Sequence, residues 1–200
     1  IKIFINLYYI SMSKINKVKN GISYEMNGWL YVSIKGDARE RGYAYGKLIY
    51  KEMKKVQEIL NFVVYNDYGV KWDFFVTAGA KYYKPKIQEL FTEFYEEMVG
   101  FSEGCSDAGT KMSIDEVLAW NNYFVLTESW WANMPEEESI AIRGTIKGNV
   151  ASKEGGAQER CSAFIANGDW TADGKIVVAH NNFSNFVDGQ LARVVVDLKP

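Results

Sequence analysis

Cys161 follows Arg160 at the end of a glycine-containing stretch and opens the apolar run Cys-Ser-Ala-Phe-Ile-Ala. A cysteine at the first position of a strand, directly after a cleavable connector, can serve as an N-terminal nucleophile. Cleavage of the Arg160–Cys161 bond would free an α-amino group on the residue that carries the thiol. Such an amine titrates near about 8. It can therefore take the thiol proton and act as general base. No separate catalytic histidine is required, which suits a chain whose single histidine is His180. Downstream stands the cluster His180-Asn181-Asn182. Side-chain amides can hold a substrate carbonyl or donate to an oxyanion. His180 can orient the nucleophile or a neighbouring carboxylate.

These residues need a hairpin to meet. Residues 161–166 and 175–179 are apolar and rich in β-formers, and Gly168 to Gly174, with Asp169, Thr171 and Asp173 between, reads as the turn. A wide loop over 168–174 places Cys161 opposite about Asn181. A tight Asp173-Gly174 turn would place it opposite Phe186 instead. The wider loop is favoured because Asp169 and Thr171 suit a central strand poorly. Residues 192–198 form a third strand candidate. The near-continuous apolar character predicts strands covered on both faces. Composition alone reads Cys161 as a small buried hydrophobe and the His180 cluster as strand-end turn residues.

Upstream the pattern is helical. A strand is expected over 28–35. Asp37, with Glu40 three residues on, caps a helix over about 38–62. Gly42 and Gly46 share one face of it, at about 1 kcal/mol each against alanine. The usual compensation is another backbone packed closely on that face. Further helices are expected over 72–83, over 85–101 with Pro85 in the first turn, and from the Ser113-Ile-Asp-Glu116 capping box to about Trp131. Residues 102–110 end the helix over 85–101, which makes Cys105 a loop cysteine. Residues 133–160, with Pro135, three successive glutamates and four glycines, read as a cleavable linker. Residues 1–27 form an N-terminal extension. Its apolar stretch Ile3–Ile10 is too short for a membrane helix and lacks a small-residue cleavage site.

Composition narrows the classes. The 200 residues are 48% hydrophobic and 24% charged, with a net charge of -2. Both signs are interspersed, which argues against a nucleic-acid surface. Aromatic residues make up 15%, enough for a substantial core. Two cysteines can pair at most once. No spacing of Cys, His and carboxylates suggests a metal site, and no cofactor is implied.

Taken together, the motifs resemble a known superfamily. Cys161-Ser-Ala-Phe-Ile-Ala followed by Thr171-Ala-Asp-Gly-Lys-Ile-Val-Val-Ala-His-Asn-Asn is similar to the nucleophile hairpin of the phospholipase B-like and peptidase C45 acyltransferase group of N-terminal-nucleophile (Ntn) hydrolases. Gly36-Asp-Ala-Arg-Glu-Arg-Gly42-Tyr-Ala-Tyr-Gly46 resembles its N-terminal helix motif, and Glu103-Gly104 with Ser113-Ile-Asp-Glu-Val-Leu adds to it. The resemblance covers about residues 28–200. It implies an α+β chain: a helical precursor over 28–132, the linker 133–160, and from 161 the first strands of an αββα sandwich. It also implies autoproteolysis before Cys161, with Cys161 as nucleophile and His180, Asn181 and Asn182 beside it. The implied substrate is a small acylated or lipid molecule with an amide or ester bond. The implied setting is secreted or lysosome-like, and the catalytic domain continues beyond Pro200. Choloylglycine hydrolases place Arg-Asn-x-Asp where this chain has His180-Asn181-Asn182-Phe183, which favours the phospholipase B-like side. Two other readings stand beside this one. The chain could be a non-catalytic relative or inactive fragment acting as a binding module, or its aromatic helices could bind a membrane surface.

Overall fold

Asn27 and Gly28 both take positive φ (51° and 81°), the backbone that a tight hairpin turn requires. In the computed structural model, which describes residues 14–135, 137–138, 160–183 and 193–199, this turn joins β2 (Gly21–Met26) to β3 (Trp29–Lys35). β1 (Asn16–Val18) adds to β2 on one side. β6 (Val194–Lys199) lies parallel to β3 on the other, with Leu30 beside Val194 and Ile34 beside Leu198. The sheet order is β1-β2-β3-β6. Strand pairing thus begins well before residue 28, inside the stretch expected as an extension. The apolar segment Ile3–Ile10 lies outside the described residues, as does the linker from 139 to 159.

One face of this sheet packs on a long helix. Leu30, Val32 and Ile34 alternate along β3 and are buried, as a half-covered strand demands. Their cover is α1 (Ala38–Tyr68), which starts where the Asp37 side chain accepts the Glu40 N–H at 2.9 Å. It runs six residues past the expected end, until Gly69 adopts φ 70° and caps it. Ile49 (φ -118°, ψ 15°) breaks its regularity.

Two short helices, α2 (Trp72–Tyr82) and α3 (Lys84–Leu90), carry the chain to α4 (Thr92–Ala108). The helix expected over 85–101 is therefore two, divided at Phe91 (φ -132°, ψ 51°). The second also continues through Ser102–Ala108 instead of ending there. Tertiary packing overrides the weak local propensity. A Cβ on Gly42 or Gly46 would overlap the carbonyl oxygen of Glu97 or Phe101, and one on Gly100 or Gly104 that of Arg39 or Tyr43. Four glycines thus let the α1 and α4 backbones touch. Cys105, expected in a loop, is instead in α4 and fully buried, its thiol toward the Gly46 carbonyl at 3.5 Å.

α5 (Ile114–Asn121) opens with the complete Ser113/Glu116 capping box. The single helix expected up to Trp131 becomes α5 followed by a π-helical segment, Val125–Trp131. There both consecutive indoles, Trp130 and Trp131, reach Phe74 and Phe75. Neighbours on a regular α-helix point about 100° apart, and the wider turn brings them to one surface. The overall class is α+β, as expected. Among the described residues, no helix is long and apolar enough to cross a membrane.

The glycine seam yields a paired prediction. Gly104→Ala gains helix propensity but forces overlap with the Tyr43 carbonyl, so it should lower unfolding free energy by roughly 1–3 kcal/mol. Gly79→Ala meets only an ordinary contact, Leu118 Cδ2 at 3.4 Å. It should be neutral or stabilising by up to about 1 kcal/mol. Urea titration of the two variants against the parent checks both.

Candidate functional site

β4 (Arg160–Gly168) and β5 (Gly174–Phe183) form a separate antiparallel hairpin. The loop is the wide one. Gly168 faces Gly174, both with positive φ (54° and 73°). Within it Trp170 and Thr171 donate backbone N–H bonds to Asn167 and Gly168, and the Asp173 carboxylate accepts the Lys175 N–H at 3.2 Å. A bulge between Ala166 and Gly168 then shifts the ladder by one residue. In consequence Cys161 pairs with Asn182, not Asn181.

That one-residue slip matters because strand faces alternate. Ala163 pairs with His180, so positions 161, 163 and 180 share one face of the hairpin. His180 lies diagonally from Cys161, a spacing of roughly 7–8 Å between backbones. Asn181 pairs with Ser162 on the opposite face. The register therefore brings Cys161, His180 and position 182 together and sets Asn181 apart from them. β5 runs four residues beyond its expected end, so His180-Asn181-Asn182 lie within the strand and are not turn residues.

Arg160 is itself in the ladder, opposite Phe183. The Arg160–Cys161 peptide bond thus sits in the first residues of β4, not out in a loop. Cys161 and His180 are both exposed. The hairpin's apolar residues are exposed as well: Phe164 at 59%, Ile165 at 69%, Ile176 at 69% and Val178 at 62%. The expectation of strands covered on both faces is not met among the described residues. Trp170 at the hairpin tip is 88% exposed. The motifs do not single it out, although a large indole within a Gly/Asp turn is itself a signal.

The two cysteines do not form a disulfide. They differ in environment. Burial pushes the Cys105 thiol up to about 12, so it is protonated and inert at neutral pH. Cys161 lies at the surface. Among the described residues, no group of three or more His, Cys, Asp or Glu side chains could hold a metal ion.

No family model matches the chain. It is similar to an uncharacterized protein of Archaeoglobus fulgidus, 24% identical over 162 residues. The match covers 80% of this chain and 25% of that protein. The chain thus spans about a quarter of the length of the relative it matches.

The contrast between the thiols gives a direct check. In the folded, uncut chain Ellman's reagent should titrate Cys161 promptly and leave Cys105 untouched until denaturant is added. Fast reaction of both thiols under native conditions would contradict the burial of Cys105.

Proposed function

We propose that this chain supplies the helical precursor and the nucleophile hairpin of a self-processing cysteine hydrolase or acyltransferase, built on an αββα sandwich. Its substrate would be a small acylated or lipid molecule with an amide or ester bond. The observation that carries this reading is the hairpin register, which sets Cys161 at the start of β4 with His180 on its face and Asn182 across the ladder. The exposed apolar faces of the hairpin support the sandwich, since a second layer would have to cover them. The open face of the four-stranded sheet, with Tyr24 and Tyr31 stacked at 5.3 Å beside Val195, supports it too.

In this mechanism the Cys161 thiol first attacks the Arg160 carbonyl carbon. The S–C bond forms, the C–N bond to Cys161 breaks, and the thiol proton passes to the departing nitrogen. Water then hydrolyses the thioester, leaving a carboxylate on Arg160 and a free α-amine on Cys161. That amine accepts the thiol proton in each later turnover. Attack on the substrate carbonyl gives an acyl thioester, which water or an amine acceptor releases. Asn182 is the candidate donor to the oxyanion, and His180 is the candidate positioning residue. Asn181, on the other face, has no direct part.

The β3–β6 pairing governs the fate of the cleaved chain. β3 lies before the cut and β6 after it, and they share a ladder from Leu30 and Val194 to Lys35 and Lys199. The two products should therefore stay together until unfolded. Purified protein should run as two fragments meeting between Arg160 and Cys161 in denaturing mass analysis, yet elute as one species under native conditions. Cys161→Ala should remain a single chain. Normal cutting in that variant removes self-processing. An uncut parent leaves the binding-module reading in its place.

A further inference from the structure

We propose that the open cleft between α1, α4 and α5 binds a single hydrocarbon chain of about six to eight carbons with an uncharged polar head. This inference rests on the helical body alone and stands whether or not Cys161 is catalytic.

The walls follow from helical spacing. Ile49 and Met53 of α1, Met98 and Phe101 of α4, and Val117 and Trp120 of α5 each recur three or four positions apart and turn inward together. The cleft they bound has a volume of about 170 Å³. A closed apolar cavity of about 150 Å³ takes up a molecule the size of benzene. This cleft is similar in volume but open at one end, so a short chain can enter with its head left at the mouth. The two methionines add adaptability, since an unbranched thioether fills irregular space. Ile49, the residue that breaks the regularity of α1, is itself in the wall. The cleft runs beside the glycine seam, since Glu97 and Phe101, whose carbonyls meet Gly42 and Gly46, also line it. Phe94 lines the opening and is 45% exposed, which gives a chain its way in.

The polar groups on the lining select the head. Glu97 is the charged residue there, and its carboxylate accepts the Arg41 Nε–H at 2.6 Å. Arg41 also donates to Glu93 at 2.7 Å, so its guanidinium is already engaged by two carboxylates. A fatty carboxylate would meet negative charge with no cation left to receive it. Tyr45 and Asn121 are among the neutral polar side chains on the lining. Burial raises the Tyr45 phenol to about 12, which keeps it a protonated donor, and among the described residues no hydrogen bond engages its hydroxyl. Asn121 spends an Nδ2–H on the Val117 carbonyl at 2.9 Å, which leaves its side-chain oxygen as an acceptor. An alcohol head, or an amide that keeps an N–H, matches this donor and acceptor pair, and a carboxylate does not.

The test uses the full chain with ¹³C-labelled methionine methyls and octan-1-ol as the probe, with octanoate as the charged counterpart. Octan-1-ol should shift the Met53 and Met98 methyl signals saturably and leave Met26, on the open sheet face, unmoved. Octanoate should bind at least about tenfold more weakly. Val117→Phe should abolish the response by filling the cleft. Tyr45→Phe, which keeps the ring and the fold, should weaken octan-1-ol several-fold while leaving octanoate unchanged. The proposal is overturned if Met53 and Met98 do not respond up to the solubility limit of the alcohol. It is equally overturned if Met26 shifts in parallel, or if octanoate binds as well as the alcohol.

Discussion

The contact on which the helical body depends is backbone against backbone. Gly42 and Gly46 of α1 meet Gly100 and Gly104 of α4 so closely that any side chain at these positions would overlap a carbonyl. Four glycines forgo roughly 4 kcal/mol of helix propensity. The return is close packing of two long elements, with weak C–H to carbonyl contacts along the seam. Side chains flank it. Arg39 reaches Glu96 and Glu103, Arg41 reaches Glu93 and Glu97, and Tyr43 donates to Asp107 at 2.6 Å. The exposed Arg39 pairs contribute little singly, whereas the buried Arg41 needs both its carboxylates; together they set the register of one helix on the other. The Ser102 hydroxyl donates to the Met112 carbonyl at 2.6 Å and Thr110 to that of Tyr50 at 2.7 Å, which locks the turn after α4 against α1.

From that seam the other elements take their places. α1 offers its remaining face to the sheet, and α5 closes the far side through Val117 and Leu118. The sheet then links the two ends of the chain. β6 could pair elsewhere, yet it enters beside β3 and ties the segment after the hairpin to residues that precede α1. A covalent break before Cys161 would therefore leave a noncovalent joint already made. Among the described residues the two strands of the hairpin pair only with each other, and their apolar side chains are exposed.

Much of this was legible in the sequence because local chemistry decided it. The Asp37 and Ser113 caps are present as read, since side-chain oxygens three residues before a free N–H have few better partners. The paired glycines 42 and 46 announced a close backbone approach. Their partners did not, because Gly100 and Gly104 lie in a Gly- and Ser-containing run that reads as a helix end until tertiary packing rewards it. Asn27-Gly28 between Met26 and Trp29 is a strong hairpin signal, and it marks where β2 ends and β3 begins. In the candidate site, Asp169 and Thr171 point to the wide hairpin loop. No residue type points to the bulge after Ala166, which decides that position 182, not Asn181, stands across from Cys161. Bulges arise from the balance of twist and loop closure, which residue types alone do not display.

The central claim is that Cys161 becomes a chain terminus whose amine and thiol act together. An adjacent amine and thiol on one residue condense with an aromatic nitrile such as 2-cyanobenzothiazole, whereas an internal cysteine does not form the stable ring product. Full-length protein should be treated with this reagent after denaturation and its fragments weighed. One adduct is predicted, on a fragment whose first residue is Cys161. An unlabelled chain continuous through Arg160–Cys161 would contradict the claim.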